Sequence, residues 1–152
     1  MGRHQALLFI DLDKFKSLND SHGHAAGDLL LIEVGKRMRA CVRQMDTVAR
    51  IGGDEFVVLA GQLEGDETQS IAQAEIIAEK IRLALAKPYQ IDVLDGEKTQ
   101  ITIVHHCTAS IGVVVFSGRA VDTEVILSLA DAAMYEAKTA GGNQVKFNLS
   151  VI

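Results

Sequence analysis

The sequence predicts an α/β fold of the α+β kind, with a mixed, largely antiparallel sheet flanked by helices. Apolar runs of strand length alternate with stretches of helical periodicity, as "QALLFIDLD" does with the run that begins at Asp28. Two pairs of apolar runs are joined by tight-turn signals, Gly52-Gly53 and the "LDG" of Leu94 to Gly96. Strands so joined run antiparallel. The element order is βααββα, then a hairpin and a strand, then αβ. Helices mixed with hairpins do not give a doubly wound parallel sheet.

Each element has a local reason. The first strand is expected from Gln5 to Asp11, a short apolar run ending in acids. "FKSL" forms a short helix before polar and glycine residues break it. From Asp28, the positions Leu31, Val34, Met38, Cys41, Val42 and Met45 recur at helical spacing. Asp28 near the start of this helix and Arg39 and Arg43 near its end complement the helix dipole. "TVARI" and "EFVVLAG" read as strands joined through Gly52 and Gly53. A second long helix runs from about Thr68 to Ala86, with Ala74, Ile77, Ile81 and Leu85 on one face, and Pro88 stops it. The segment from Tyr89 to Phe116 alternates around its turn and gives a hairpin and a long strand. A last helix spans about Asp122 to Thr139, with Ile126, Ala130, Ala133, Met134 and Ala137 inward. Gly141 and Gly142 end it before the short strand "QVKF".

At 152 residues, with no internal repeat or long linker, the chain reads as one domain, 1–152, with a sizeable core. It is 48% hydrophobic and 23% charged, a globular balance. The net charge of −5 argues against a nucleic-acid polymer as partner. An anionic ligand would need local basic residues or a metal. Cys41 and Cys107 each lie in an apolar pattern with no second cysteine at zinc spacing, so reduced thiols of a cytoplasmic domain are expected. No signal peptide precedes the first strand, and no apolar run is long enough to cross a bilayer. Membrane contact by this domain is not expected, although a larger parent protein could be anchored.

"ARIGGDEFVVL" does not read as ordinary core. Asp54 and Glu55 open an apolar strand, as Asp11 and Asp13 close the first one. If the first strand lies beside the hairpin, Asp11 and Asp54 approach the same point. Hard oxygen donors without Cys or His suit Mg²⁺ or Mn²⁺ and, with it, phosphoryl or nucleotidyl transfer. Solvated acids at strand ends are the bland alternative. The order D-x-D-x-F-K-x-x-N-D-x-x-G-H-x-x-G-D, followed by G-G-D-E-F, tips the balance to the site.

These blocks, "FIDLDKFKSLNDSHGHAAGD", "RIGGDEF", "ASIGVVVF" and "ADAAMYEAKTAGGN", resemble the GGDEF domain of diguanylate cyclases from about Leu7 to Phe147. The resemblance implies a palm-like fold similar to nucleotide cyclases. It implies a homodimer in which two copies, each holding one GTP, condense them into cyclic di-GMP and release two pyrophosphates. Asp11 and Asp54 match the metal-binding carboxylates, and Leu12 the position that lends a backbone carbonyl. Glu55 matches the acid that completes the metal site and helps activate the attacking 3′-hydroxyl; beside magnesium those two roles are hard to separate. Gly52 and Gly53 allow close approach of the nucleotide to the backbone. Asn19 and Asp28 match the guanine-reading pair, which favours GTP over ATP because an unpaired carboxylate penalises the wrong base. Helix capping is the other reading of Asp28. Lys16 and Lys138 match residues that neutralise the phosphates, assisted by backbone N–H groups near Phe15.

One departure stands out: the resemblance leads one to expect arginine at position 142, and the glycine found there removes a phosphate contact. Arg43 and Asp46, in "RQMD", match an R-x-x-D motif at which cyclic di-GMP docks as product inhibitor. A solvated charge pair is the alternative there. His22, His24, His105 and His106 form no metal set and are read as structural. Two function classes follow. An intact "GGDEF" favours an active diguanylate cyclase, and the missing arginine favours a module that binds GTP or cyclic di-GMP and regulates a neighbour. An ATP-using cyclase is disfavoured by Asn19 and Asp28. The domain is expected to be excised from a larger, multidomain protein.

Overall fold

The computed structural model describes residues 3–117 and 121–152. The elements are β1 (His4–Asp13), α1 (Phe15–His22), α2 (His24–Cys41), β2 (Thr47–Gly52), β3 (Glu55–Leu63), α3 (Glu67–Leu85), β4 (Tyr89–Leu94), β5 (Gln100–His105), β6 (Thr108–Ser117), α4 (Thr123–Thr139) and β7 (Gln144–Asn148). The main sheet has the order β2-β3-β1-β6-β7, and β4-β5 form a separate two-stranded sheet. Among the described residues only β6 and β7 pair in parallel, so the predicted mixed, largely antiparallel sheet is what forms.

β1 lies at the centre, paired with β3 (Asp11 opposite Glu55) and with β6 (Asp13 opposite Thr108). Its unbroken apolar run reflects burial on both faces. The even positions Ala6, Leu8, Ile10 and Leu12 pack with Leu30, Val34 and Met38 of α2 and Ala74, Ala78, Ile81 and Leu85 of α3. The odd positions Leu7 and Phe9 pack against Ile126, Ala130 and Met134 of α4. Side chains alternate along a strand, so Asp11 and Asp13 continue the odd series on the α4 side. That parity positions the site.

Two helix boundaries differ from expectation. The second long stretch becomes helical at His24, after Gly23, and ends at Cys41. Asp28 is therefore an exposed residue inside α2 and does not cap it, and Met45 lies beyond the helix at 54% exposure. Periodicity ran past the true end because Val42 and Met45 kept the spacing after the backbone had turned extended. α3 starts a residue before the expected position, where Asp66 and Gln69 form a reciprocal capping box. Arg37 of α2 joins the layers: it stacks 3.7 Å over the buried Tyr89 ring and donates to the carbonyls of Ala84, Lys87 and Pro88. The inward residues expected of α4 are all buried.

Candidate functional site

The parity of three adjacent strands collects polar side chains at one end of the α4-facing sheet surface. β1 brings Asp11 and Asp13, β3 brings Glu55 opposite Asp11, and β6 brings Thr108 and Ser110 opposite Asp13 and Asp11. The Gly53-Asp54 turn between β2 and β3 is tied to β1 because the Leu12 amide donates to the Asp54 carbonyl at 3.3 Å. Gly52 and Gly53 face open space. α4 crosses this surface and delivers Lys138. Its Nζ lies 3.0 Å from Asp11 Oδ1 and 3.3 Å from Asp13 Oδ1, and it donates to the Leu12 carbonyl at 3.4 Å.

The electrostatics of the two β1 acids diverge. Burial, together with Asp54 and Glu55, pushes Asp11 up to about 6 despite the neighbouring lysine. Its Oδ1 pairs with Lys138 Nζ at 3.0 Å, a contact that lacks the alignment of a hydrogen bond. Burial also opposes charge on Asp13. There, hydrogen bonds from Thr108 Oγ1 (2.7 Å), Ser110 Oγ (2.8 Å) and the Asn143 amide (2.9 Å), with Lys138, outweigh it and hold the carboxyl below its ordinary range. Glu55 is raised by burial, then by Asp131 and Asp54. Burial works against the charge on Lys138, but Asp11 and Asp13 raise its pKa.

The donor set fits a hard cation. Among the described residues no three His, Cys, Asp or Glu side chains converge as a closed cage. Magnesium needs none, since it is held by one or two carboxylates and completes its shell with water and phosphate oxygens. Asp11, the Asp54 turn and the Leu12 carbonyl are the groups that would hold it.

A second cluster lies where α1 meets α2. The Asn19 side chain packs over Gly27, so closely that a Cβ at Gly27 would fall 1.9 Å from Asn19 Oδ1. Asn19 thus lies beside the residue preceding Asp28, and its Oδ1 is buried without a donor. Phe15 opens α1 after Lys14, which adopts φ 62°, and no side chain caps this helix start. Lys16 is exposed there.

The chain's sequence matches the profile described as diguanylate cyclase, GGDEF domain, over residues 1–144. The chain belongs to the GGDEF domain family. This GGDEF domain is 45% identical over 93% of its length to the bifunctional diguanylate cyclase/cyclic di-GMP phosphodiesterase MucR of Pseudomonas aeruginosa, covering 18% of that protein. It is 38% identical over 96% of its length to the cyclic di-GMP phosphodiesterase NbdA of the same organism, covering 17% of it. The chain thus spans less than a fifth of either relative. Among solved structures, the GGDEF domain of TpbB, a diguanylate cyclase of P. aeruginosa, superposes with a TM-score of 0.78 at 34% identity. The match covers 95% of this chain and 82% of that one.

Within this GGDEF domain, Arg43 and Asp46 form a turn lock between α2 and β2. Asp46 is 3% exposed and accepts from the Arg43 amide, Nε and Nη2 and from the Gly61 amide. Its carboxyl is held below the usual range: burial opposes, and the Arg43 and Gly61 bonds prevail. The carboxylate is fully engaged, and the part of the pair that meets solvent is the Arg43 guanidinium. Arg43 borders a cavity of about 340 Å³ lined also by Cys41, Val42, Ile77 and Lys80.

Sequence reasoning had left three parts of the site without a role. Asp13 was only one more acid, yet it is the most heavily bonded group here. Thr108 and Ser110 hold it, and the T-x-S-x-G alternation opening β6 was the available signal. Gly112 continues that alternation, and a Cβ there would fall 2.1 Å from the Ala130 carbonyl, so α4 lies directly on β6. Gly142 gains a local reason as well. It adopts φ +73°, and a Cβ on it would lie 3.0 Å from Asp13 Oδ2. His22 and His24 are exposed, and His22 lies close enough to His105, as does His106, to add to the lowering of its pKa that burial causes. His105 ends β5 and is half-buried, whereas His106 lies in the link to β6, outside either strand, and is exposed.

Proposed function

We propose that this GGDEF domain is a diguanylate cyclase that condenses two GTP into cyclic di-GMP with release of two pyrophosphates, working as a homodimer. The observation that carries the reading is the convergence of Asp11, the Asp54 turn, Glu55 and Lys138 on one open sheet surface, with Asp11 paired to the lysine in its centre. Asp11, Asp54 and the Leu12 carbonyl would hold Mg²⁺ or Mn²⁺, with Glu55 completing the set. The chemistry such a cation supplies is neutralisation of phosphate charge and polarisation of phosphoryl oxygens.

The chain's own residues do the rest. Asn19 and Asp28 read the guanine, where the buried, donorless Asn19 Oδ1 is an acceptor awaiting a partner. Lys138, Lys16 and the uncapped backbone N–H groups at Phe15 receive the phosphates. Glu55, made more basic by burial and by Asp131 and Asp54, takes the proton from the ribose 3′-hydroxyl. The freed 3′-oxygen attacks the α-phosphorus of the GTP held by the other copy, the bond to the β-phosphate oxygen breaks, and pyrophosphate leaves. The same exchange in the opposite sense closes the ring. Each copy supplies one nucleotide, so no single chain can complete the product.

Product inhibition is proposed at Arg43 and Asp46, where the exposed guanidinium offers planar donors to phosphate or guanine. The parent protein is proposed to be multidomain and cytoplasmic on the side of this domain, consistent with the small share of the relatives that the chain spans. No helix among the described residues is long and apolar enough to cross a membrane.

A second reading, a weak or inactive module that binds GTP or cyclic di-GMP, is favoured by Gly142 and by the similarity to NbdA. Chromatographic detection of cyclic di-GMP after incubation with GTP and Mg²⁺, over a wide range of protein concentration, separates the two. Product that rises more steeply than protein and disappears in Asp54→Ala and Glu55→Ala is expected. No product at any concentration, with nucleotide still bound, would leave the regulatory module standing.

A further inference from the structure

We infer that Asp13 is a positioning residue for Lys138: it keeps the lysine at the phosphate site when Asp11 is engaged by a divalent cation. This rests on the proposed placement of metal and phosphates. Lys138 stands between two carboxylates at 3.0 and 3.3 Å, and these are not equivalent. Asp11 pairs with Lys138 alone and faces Asp54 and Glu55, neighbours of its own sign, the situation of a group with a charge still to gain. Asp13 is saturated. Thr108 and Ser110 of β6 and the Asn143 amide after α4 fix both its oxygens, leaving it the single remaining task of holding Lys138.

The consequence is a division of labour within D-x-D. A cation held at Asp11 would compete with the ammonium for that carboxylate, since two positive charges at contact distance repel each other. Without a second anchor, Lys138 would be free to swing into solvent, and its long stem would lose the rotamer entropy again when it met phosphate. Asp13 prevents that swing. Through Asn143 the same carboxylate also fixes the turn after α4, so the position of Lys138 along the helix and its tip are set by one group. Gly142 fits the arrangement, since any side chain there would press on the Asp13 carboxylate.

The test measures two affinities separately: Mn²⁺ by electron paramagnetic resonance without nucleotide, and a non-hydrolysable GTP analogue by calorimetry in Mg²⁺. Asp13→Asn is expected to leave Mn²⁺ affinity unchanged and to weaken the analogue about tenfold, the scale of one charge-assisted hydrogen bond. Asp13→Asn combined with Lys138→Met should be no weaker than Lys138→Met alone. Additive losses, or a loss of Mn²⁺ in Asp13→Asn comparable to that in Asp11→Asn, would overturn the inference. If Asp13→Asn fails to fold by circular dichroism, Thr108→Val replaces it. It keeps the carboxylate and loosens its hold, so a smaller weakening of the analogue is expected, and none at all refutes the role. Failure of the underlying site is read elsewhere, as Mn²⁺ binding indifferent to Asp11→Asn and analogue binding indifferent to Lys138→Met.

Discussion

At the residue scale, Asp11 carries a cost that pH reveals. Its carboxyl ionises near 3.8 as an ordinary group and near 6 in the fold, so the native chain holds its proton more tightly than the unfolded one. Stability linked to Asp11 is therefore full below pH 3.8 and is lost as pH rises through 6. Asp11→Asn cannot ionise and escapes that loss. Without divalent cations it should melt several degrees above the parent at pH 7.5, with the gain shrinking toward pH 4. A gain of equal size at both values would show that the charge is not its source. Gly142 makes the second case. Placing arginine there imposes left-handed backbone on a residue with a Cβ, at about 1–2 kcal/mol. Gly142→Ala should lose the same stability in urea titration, so the difference in KM for GTP between Gly142→Arg and Gly142→Ala isolates the guanidinium. Equal KM values would mean that the missing arginine has no phosphate to meet.

At the element scale, α4 and β6 decide whether the site exists. Lys138 reaches the acids only because the helix lies against the strand at Gly112, where a Cβ would fall 2.3 Å from the Met134 amide. Helix backbone cannot yield as a flexible side chain does. Gly112→Ala should therefore cost about 3 kcal/mol or more, at the upper end of overpacking losses, and should lower nucleotide binding with it. Denaturant titration with calorimetry checks both, and an unchanged midpoint would mean that α4 can slide without consequence. The sequence foretold which α4 residues face inward, because a 3.6-residue period survives in any packed helix. It did not foretell Gly112, because a close backbone approach leaves no pattern beyond one small residue. The ends of α2 were misplaced for a related reason: apolar spacing continues through Val42 and Met45, while the chain turn is set by Arg43 and Asp46, read in the sequence as a product-binding motif, and by Gly61, distant along the chain.

At the scale of the whole molecule, the proposed reaction needs two copies, each contributing the one proposed nucleotide site. Fusing the chain to a parallel dimeric coiled coil is expected to raise cyclic di-GMP formation per molecule at low protein concentration, because pairing becomes an intramolecular encounter. Activity indifferent to fusion would count against a reaction shared between copies, provided the untethered chain is monomeric by light scattering.

The sequence by itself determined the sheet-and-helix composition, the acids at the strand ends and the membership in the GGDEF family. Hydrophobic period, turn residues and motif order are local properties of the chain and survive without coordinates. Only the tertiary structure decided which acid does what. Asp11 and Asp13 are two residues apart on one strand face and look alike in the sequence, yet one meets Asp54 and Glu55 from β3 and the other meets Thr108 and Ser110 from β6. A carboxylate's charge state is set by its neighbours in space, and those neighbours come from more than forty and more than ninety residues along the chain.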